Sequence, residues 1–145
     1  MSTAQHEDLT LDVTQQIEVA APIGEVYQSL IDRLTKDSAH ADGTPMPMVL
    51  EPWPGGRWFR DLGDHQGHLW GFVQVIKPPT LLEIQGPLFM SYAVSGHVQF
   101  RLTPTPGGTE LTLRHCAVGM IPEPHRQSLG QGWQATLQAV KSHCE

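Results

Sequence analysis

The stretch HVQFRLTPTPGGTELTLRH, residues 97–115, decides the fold. Val98, Phe100 and Leu102 alternate with polar neighbours, Leu111 and Leu113 do the same beyond the turn, and Pro104–Gly108 between them is turn chemistry. Two runs of period 2 joined this way pair antiparallel as a hairpin with one buried face, which carries Phe100 and Leu113. His115 keeps the phase of Leu111 and Leu113, so its imidazole points to the same side. Further on, Leu129, Trp133, Leu137 and Val140 mark one face of a helix that begins near Pro122 to Pro124. A hairpin with one apolar face and a helix with one apolar stripe bury those surfaces against each other.

Working back towards the N-terminus, Thr80–Gln85 and His68–Ile76 read as strands separated by Pro78 and Pro79, and Arg57–Asp61 and Val49–Trp53 flank a turn at Pro54–Gly56. The PGG stretches at Pro54–Gly56 and Pro106–Gly108 lack the Lys-Ser/Thr of a phosphate-binding loop and read as hairpin turns. In His68–Ile76, Trp70, Phe72 and Ile76 share one face while Leu69, Val73 and Val75 share the other. A strand apolar on both sides wants cover on both, from a second subunit in a homodimer unless these are a monomer's scattered exposed aliphatics. Thr35–Pro47 breaks both periods and reads as a long loop with room for one helical turn, placed to form a mobile pocket mouth. Before it, Pro22 opens a helix whose face is Ile23, Val26, Tyr27, Leu30, Ile31 and Leu34, and Leu9–Val19 alternates as the first strand.

The order is α+β: a curved antiparallel sheet of about seven strands wrapped around a long C-terminal helix, with one or two short helices after the first strand. One domain is expected over 9–143, preceded by a flexible segment 1–8. At 145 residues such a domain buries about 70% of the surface its unfolded chain exposes. With 39% apolar and 17% charged residues the chain is too poor in charge to stay a solvated coil, and 12 Pro and 14 Gly predict many turns. A net charge of −6 with no basic run argues against nucleic acid as a partner. No apolar run is long enough for stable membrane insertion, and the polar, acidic start lacks the features of a signal peptide, so a cytoplasmic location is expected. Cys116 and Cys144 lack metal-type spacing and are expected to remain reduced.

Several stretches together resemble a known family: Ile17–Tyr27 (IEVAAPIGEVY), Pro54–Arg57 (PGGR), Gly71–Leu81 (GFVQVIKPPTL), Gly108–His115 (GTELTLRH) and Gly132-Trp133. In this order and spacing, which cover nearly the whole chain, they resemble the helix-grip domains of the START-like (SRPBCC) superfamily, in the branch named after the activator of heat-shock protein 90 ATPase. The resemblance implies a pocket between the sheet and the C-terminal helix, with His115 and Trp133 near it. Domains of this kind carry lipids, hormones or polyketides, catalyse cyclisations, or assist a chaperone, and a shared fold does not choose among these.

The residues themselves offer an aromatic pocket and little chemistry. The expected ligand-binding set is His115, Trp133, Phe100, Tyr92, Trp70, Phe72, Leu113, Leu137, Leu129 and Met48, with His115 and Tyr92 orienting the ligand. The same rings are also suited to filling a core, and His115 to being a core histidine with an internal partner. Neighbouring Cys116 makes no dyad with His115, because successive strand residues face opposite ways. Asp61, Asp64, His65 and His68 crowd a turn but are a weak zinc set without thiolates, so no metal and no other cofactor is expected. Gly130 and Gly132 weaken the last helix and call for a packing reason, while Met46, Met48, Phe89 and Met90 are suited to form adaptable lips. Three functions follow: a carrier or sensor of a small hydrophobic molecule, a cyclase or hydratase using the same cavity, and a chaperone-associated interaction module.

Overall fold

The computed structural model describes residues 9–145, so the expected flexible segment 1–8 lies outside the described residues. In chain order the elements are β1 (Thr10–Val19), α1 (Ile23–Leu34), β2 (Val49–Leu50), β3 (Arg57–Gly63), β4 (Gln66–Lys77), β5 (Leu81–Gly86), β6 (Val94–Thr105), β7 (Gly108–Gly119) and α2 (Glu123–Cys144). The strands form one antiparallel sheet in the order β1-β7-β6-β5-β4-β3-β2. From β2 to β7 it is a meander, and β1 returns beside β7. The hairpin pairs in the register its alternation requires: Val98 opposite His115, Phe100 opposite Leu113, Leu102 opposite Leu111. All six side chains are buried, and Leu129, Trp133, Leu137 and Val140 of α2 are buried with them. The Ser29 hydroxyl of α1 donates to the Val140 carbonyl of α2 (3.1 Å), and the Trp58 indole donates to the Leu34 carbonyl (2.8 Å).

β1 is an edge strand of ten residues, and a bare edge of that length is a template for another chain. Here α2 fastens it with side chains. Arg126 donates to the Thr10 carbonyl and Lys141 to the Glu18 carbonyl, the Gln15 amide donates to the Gly130 carbonyl, and the Glu145 carboxylate accepts the Ala20 N–H.

Three glycines let the sheet bend. Gly71, Gly86 and Gly96 lie side by side on β4, β5 and β6. At Gly86, with φ of 155°, an added Cβ would lie 2.6 Å from both the Gly71 Cα and the Trp70 carbonyl oxygen. Those are backbone atoms that cannot rotate away. Gly86→Ala is therefore expected to cost about 1–3 kcal/mol by overpacking, seen as a lower thermal midpoint; an unchanged midpoint would show that the strands do not approach this closely.

The structure corrects four expectations. Trp58 pairs with Gly71 and Phe59 with Leu69, which leaves Trp70 as the extra residue of a β-bulge. One inserted residue reverses the phase of everything beyond it. Trp70 is therefore buried while Phe72 stands 48% exposed on the outer face, and Val73, expected opposite Trp70, is buried. The most exposed apolar residues on the outside of β4 are Leu69 and Phe72. The strand expected over Val49–Trp53 is cut to Val49–Leu50 because Arg57 grips the Glu51 carboxylate through its backbone N–H and its guanidinium (2.8–3.0 Å). The loop 35–48 contains turns and a bridge between Ala39 and Pro45 in place of a helical turn.

Candidate functional site

The loop 35–48 folds over the space between the last turn of α1 and the exposed side of α2, and a cavity of about 490 Å³ opens there. Its inner wall is aromatic: Trp58 from β3, Trp133 from α2, and Phe89 from the connection between β5 and β6. Phe89 meets Trp58 edge-on at 5.0 Å between ring centroids and lies 5.4 Å from Trp70 and 6.2 Å from Trp133. It reaches this position because Leu88 and Phe89 take φ of 49° and 72°. Bulky residues rarely adopt that left-handed backbone, and it is held here by the buried Leu88 and Met90 on either side. Towards the mouth stand Arg33, His40 and His125. α2 contributes His125, Leu129, Gly132, Trp133 and Thr136, spaced as one side of a helix requires.

Behind Trp133 lies His115, fully buried. The Trp133 indole N–H donates to His115 Nδ1 at 2.8 Å, with the two rings nearly perpendicular. An indole can only donate, so Nδ1 is the acceptor and the proton of the neutral imidazole sits on Nε2. Among the described residues Nε2 has no partner, and it points at Gly96, where a Cβ would sit 3.2 Å away. Burial pulls the pKa of His115 from 6.5 down to about 4, with smaller contributions from the charges of His125 and His97. The ring is thus neutral at pH 7 and serves as a prop that fixes the rotamer of Trp133.

The expected ligand-binding residues divide accordingly. Leu129 and Trp133 line the cavity. His115, Phe100, Leu113 and Leu137 do not: they are buried at 0–1% exposure and form the packed core on which Trp133 rests. The interior between hairpin and helix is filled because Phe100 and Trp133 stack edge to face at 6.0 Å. Trp70 is buried beside Phe89 and stacks on His68, with its Nε1 unpartnered among the described residues. Met48 is buried, and Met46 takes the cavity wall in its place. The Tyr92 hydroxyl is hydrogen-bonded to Nδ1 of His125, so it acts on the mouth through that ring. Phe72, turned outward by the bulge, does not line this cavity but a separate hollow of about 390 Å³ on the other side of the sheet's β4–β5–β6 stretch, with Gln85 and Ser95.

Sequence reasoning overlooked Arg33 and His125. His125 precedes Leu129 by four residues and Trp133 by eight, so extending the helical period one turn towards the N-terminus identifies it.

Other candidate groups lie elsewhere. Cys116 faces outward as alternation predicts, with its Sγ 3.5 Å from the Asp12 carboxylate, and burial followed by that carboxylate pushes its thiol pKa up. A raised pKa is the opposite of what a nucleophilic thiol needs. Asp61 accepts from the Gly63 N–H within its exposed turn, and no three His, Cys, Asp or Glu side chains converge among the described residues. No helix among them is long and apolar enough to cross a membrane.

Residues 20–145 match the family described as activator of Hsp90 ATPase homolog 1-like protein, and the chain belongs to that family. No curated protein matches the chain. Among solved structures it resembles a protein from Chromobacterium violaceum (TM-score 0.71, 19% identity, 93% of this chain and 98% of that one). A protein from Rhizobium leguminosarum is similar at TM-score 0.69 and 16% identity, over 91% and 92% of the two chains. The di-domain ARO/CYC protein StfQ of the steffimycin biosynthetic pathway is similar at TM-score 0.67 and 17% identity; the match takes in 96% of this chain and 52% of StfQ. At these identities the likeness is one of fold.

Proposed function

We propose that this chain binds a small hydrophobic or amphipathic molecule in the cavity between the loop 35–48 and α2, as a carrier or sensor. The observation that carries this reading is Gly132. It sits inside a helix of 22 residues, where glycine costs about 1 kcal/mol relative to alanine, and an added Cβ would meet nothing within 4 Å. The expected packing reason is therefore missing at Gly132, which is exposed and lines the cavity, so that a side chain there would stand in open space beside it. Glycine here weakens the helix and keeps the cavity open. The aromatic inner wall and polar mouth suit an amphipathic guest. The likeness to an ARO/CYC protein of a biosynthetic pathway supports a small molecule as the occupant. His115 does not support acid–base catalysis in this cavity, since it is buried behind Trp133 and does not line it.

Gly132→Leu tests this with two readouts that move in opposite directions. The variant is expected to gain about 0.5–1 kcal/mol of stability from helix propensity, and to lose the small molecule that native mass spectrometry detects on freshly purified wild-type protein. Wild-type protein that repeatedly carries nothing and binds no hydrophobic probe would sink the carrier reading.

A further inference from the structure

The one formally charged side chain among the described residues lining the cavity is a cation, Arg33. The protein carries a net charge of −6, yet none of the described lining residues is acidic, and Arg33, His40 and His125 all face the cavity. Arg33 is half-buried at the end of α1, and its guanidinium donates to the Asp37 carbonyl (3.1 Å), leaving further N–H donors in its fork. Asp37, four residues on, meets Arg33 through its backbone carbonyl and not its carboxylate, and other carboxylates of this region have partners of their own. Asp32 pairs with Lys36 and accepts from Gln28, Asp42 accepts from the Thr44 N–H beside His40, and Glu123 pairs with Arg126. No carboxylate pairs with Arg33 among the described residues, as none does with Arg60, Lys77 or Arg101, but of these four cations Arg33 is the one that lines the cavity. A permanent cation beside an apolar cavity, next to two rings able to donate hydrogen bonds, is complementary to an anion on an apolar body.

We propose that the molecule held in this cavity is a hydrophobic carboxylic acid whose carboxylate is bound by Arg33 at the mouth, with its body against Trp58, Phe89 and Trp133. This rests on the carrier or sensor reading and narrows it to a chemical class. The cavity of about 490 Å³ falls within the range of about 300–1,000 Å³ usual for small-molecule sites, which suits a bicyclic aromatic acid or a medium-chain fatty acid.

The test uses three probes with one rigid body and different heads: 2-naphthoic acid, 2-naphthamide and 2-naphthylmethylamine, each titrated into the protein by calorimetry. The acid is expected to bind about tenfold more tightly than the amide, the scale of one charge-assisted hydrogen bond, and the ammonium probe most weakly. Arg33→Gln should bring the acid down to the affinity of the amide while leaving the amide unchanged, Arg33→Lys should retain part of the preference, and Gly132→Leu should weaken all three alike. Equal binding of the three heads to the wild type overturns the carboxylate assignment and leaves the cavity as a binding site. Preference surviving in Arg33→Gln, or equal loss for every head in that variant, overturns the role of Arg33. Failure of all three probes to bind removes the cavity reading and the carboxylate assignment with it.

Discussion

Trp133→Ala is expected to lower the free energy of unfolding by about 3–5 kcal/mol, the range for deleting a large buried aromatic side chain. Three losses add up at this position. The indole is 3% exposed, so nearly all its apolar surface returns to water in the unfolded state. Its edge contacts with Phe100 and Phe89 and its place on His115 leave a void bounded by large rings, which cannot collapse far. His115 Nδ1 also loses its only donor, making both ring nitrogens unpartnered among the described residues. Urea titration at constant slope measures the effect through the shift in midpoint. Trp133→Phe separates the contributions: it retains most of the ring and drops the N–H, and should cost about 1–3 kcal/mol for the orphaned imidazole nitrogen. Equal losses in the two variants would show that the hydrogen bond, not the packing, holds Trp133 in place.

The second large effect is a dependence of stability on pH. His115 titrates near 6.5 when unfolded and near 4 when folded. Above pH 6.5 neither state holds the proton, and below pH 4 both do. Between those values the unfolded chain binds a proton that the folded chain refuses, so stability falls as the pH drops through this window, by roughly 3 kcal/mol in total. In His115→Asn the amide oxygen stands close to where Nδ1 was, so it retains an acceptor for the Trp133 indole while removing the titration. Unfolding free energies measured at pH 7 and pH 4.5 should differ much less in this variant than in the wild type. Carboxylates whose pKa is held low by hydrogen bonds, such as Asp12 with Arg114 and Glu51 with Arg57, are present in both proteins and cancel in the comparison. Identical pH slopes would show that His115 carries its proton in the fold.

The inward face of the hairpin was readable from the sequence, because alternation over 97–115 fixes which side chains share a face; its strands run further, Val94–Thr105 and Gly108–Gly119, and pair through Thr105 and Gly108, so the turn is shorter than the expected Pro104–Gly108. The helix carrying Leu129, Trp133, Leu137 and Val140 was readable for the same reason, and the family resemblance predicted a pocket beside Trp133. The cavity wall was not readable. The bulge at Trp70 depends on how β3 and β4 align, and in a strand with apolar residues at both odd and even positions the reversal of phase does not show; Phe72 was misplaced for that reason. Phe89 turns inward through a left-handed backbone that neither Leu88 nor Phe89 favours locally, so tertiary packing imposes it. His115 was correctly aimed inward, but alternation gives direction and not depth, and the ring stops behind Trp133.

The side chains by which α2 fastens β1 also bear on how the protein fails. While they hold, self-association has to use a face of the sheet, because the long edge is occupied and the opposite edge strand is only Val49–Leu50. If α2 peels away, a ten-residue strand is left with unsatisfied backbone groups along one side, the geometry from which ordered aggregates grow. Irreversible heat clotting should therefore track detachment of the helix rather than melting of the sheet, and strengthening the grip of Arg126 and Lys141 on that edge should lengthen shelf life even where the melting temperature barely moves.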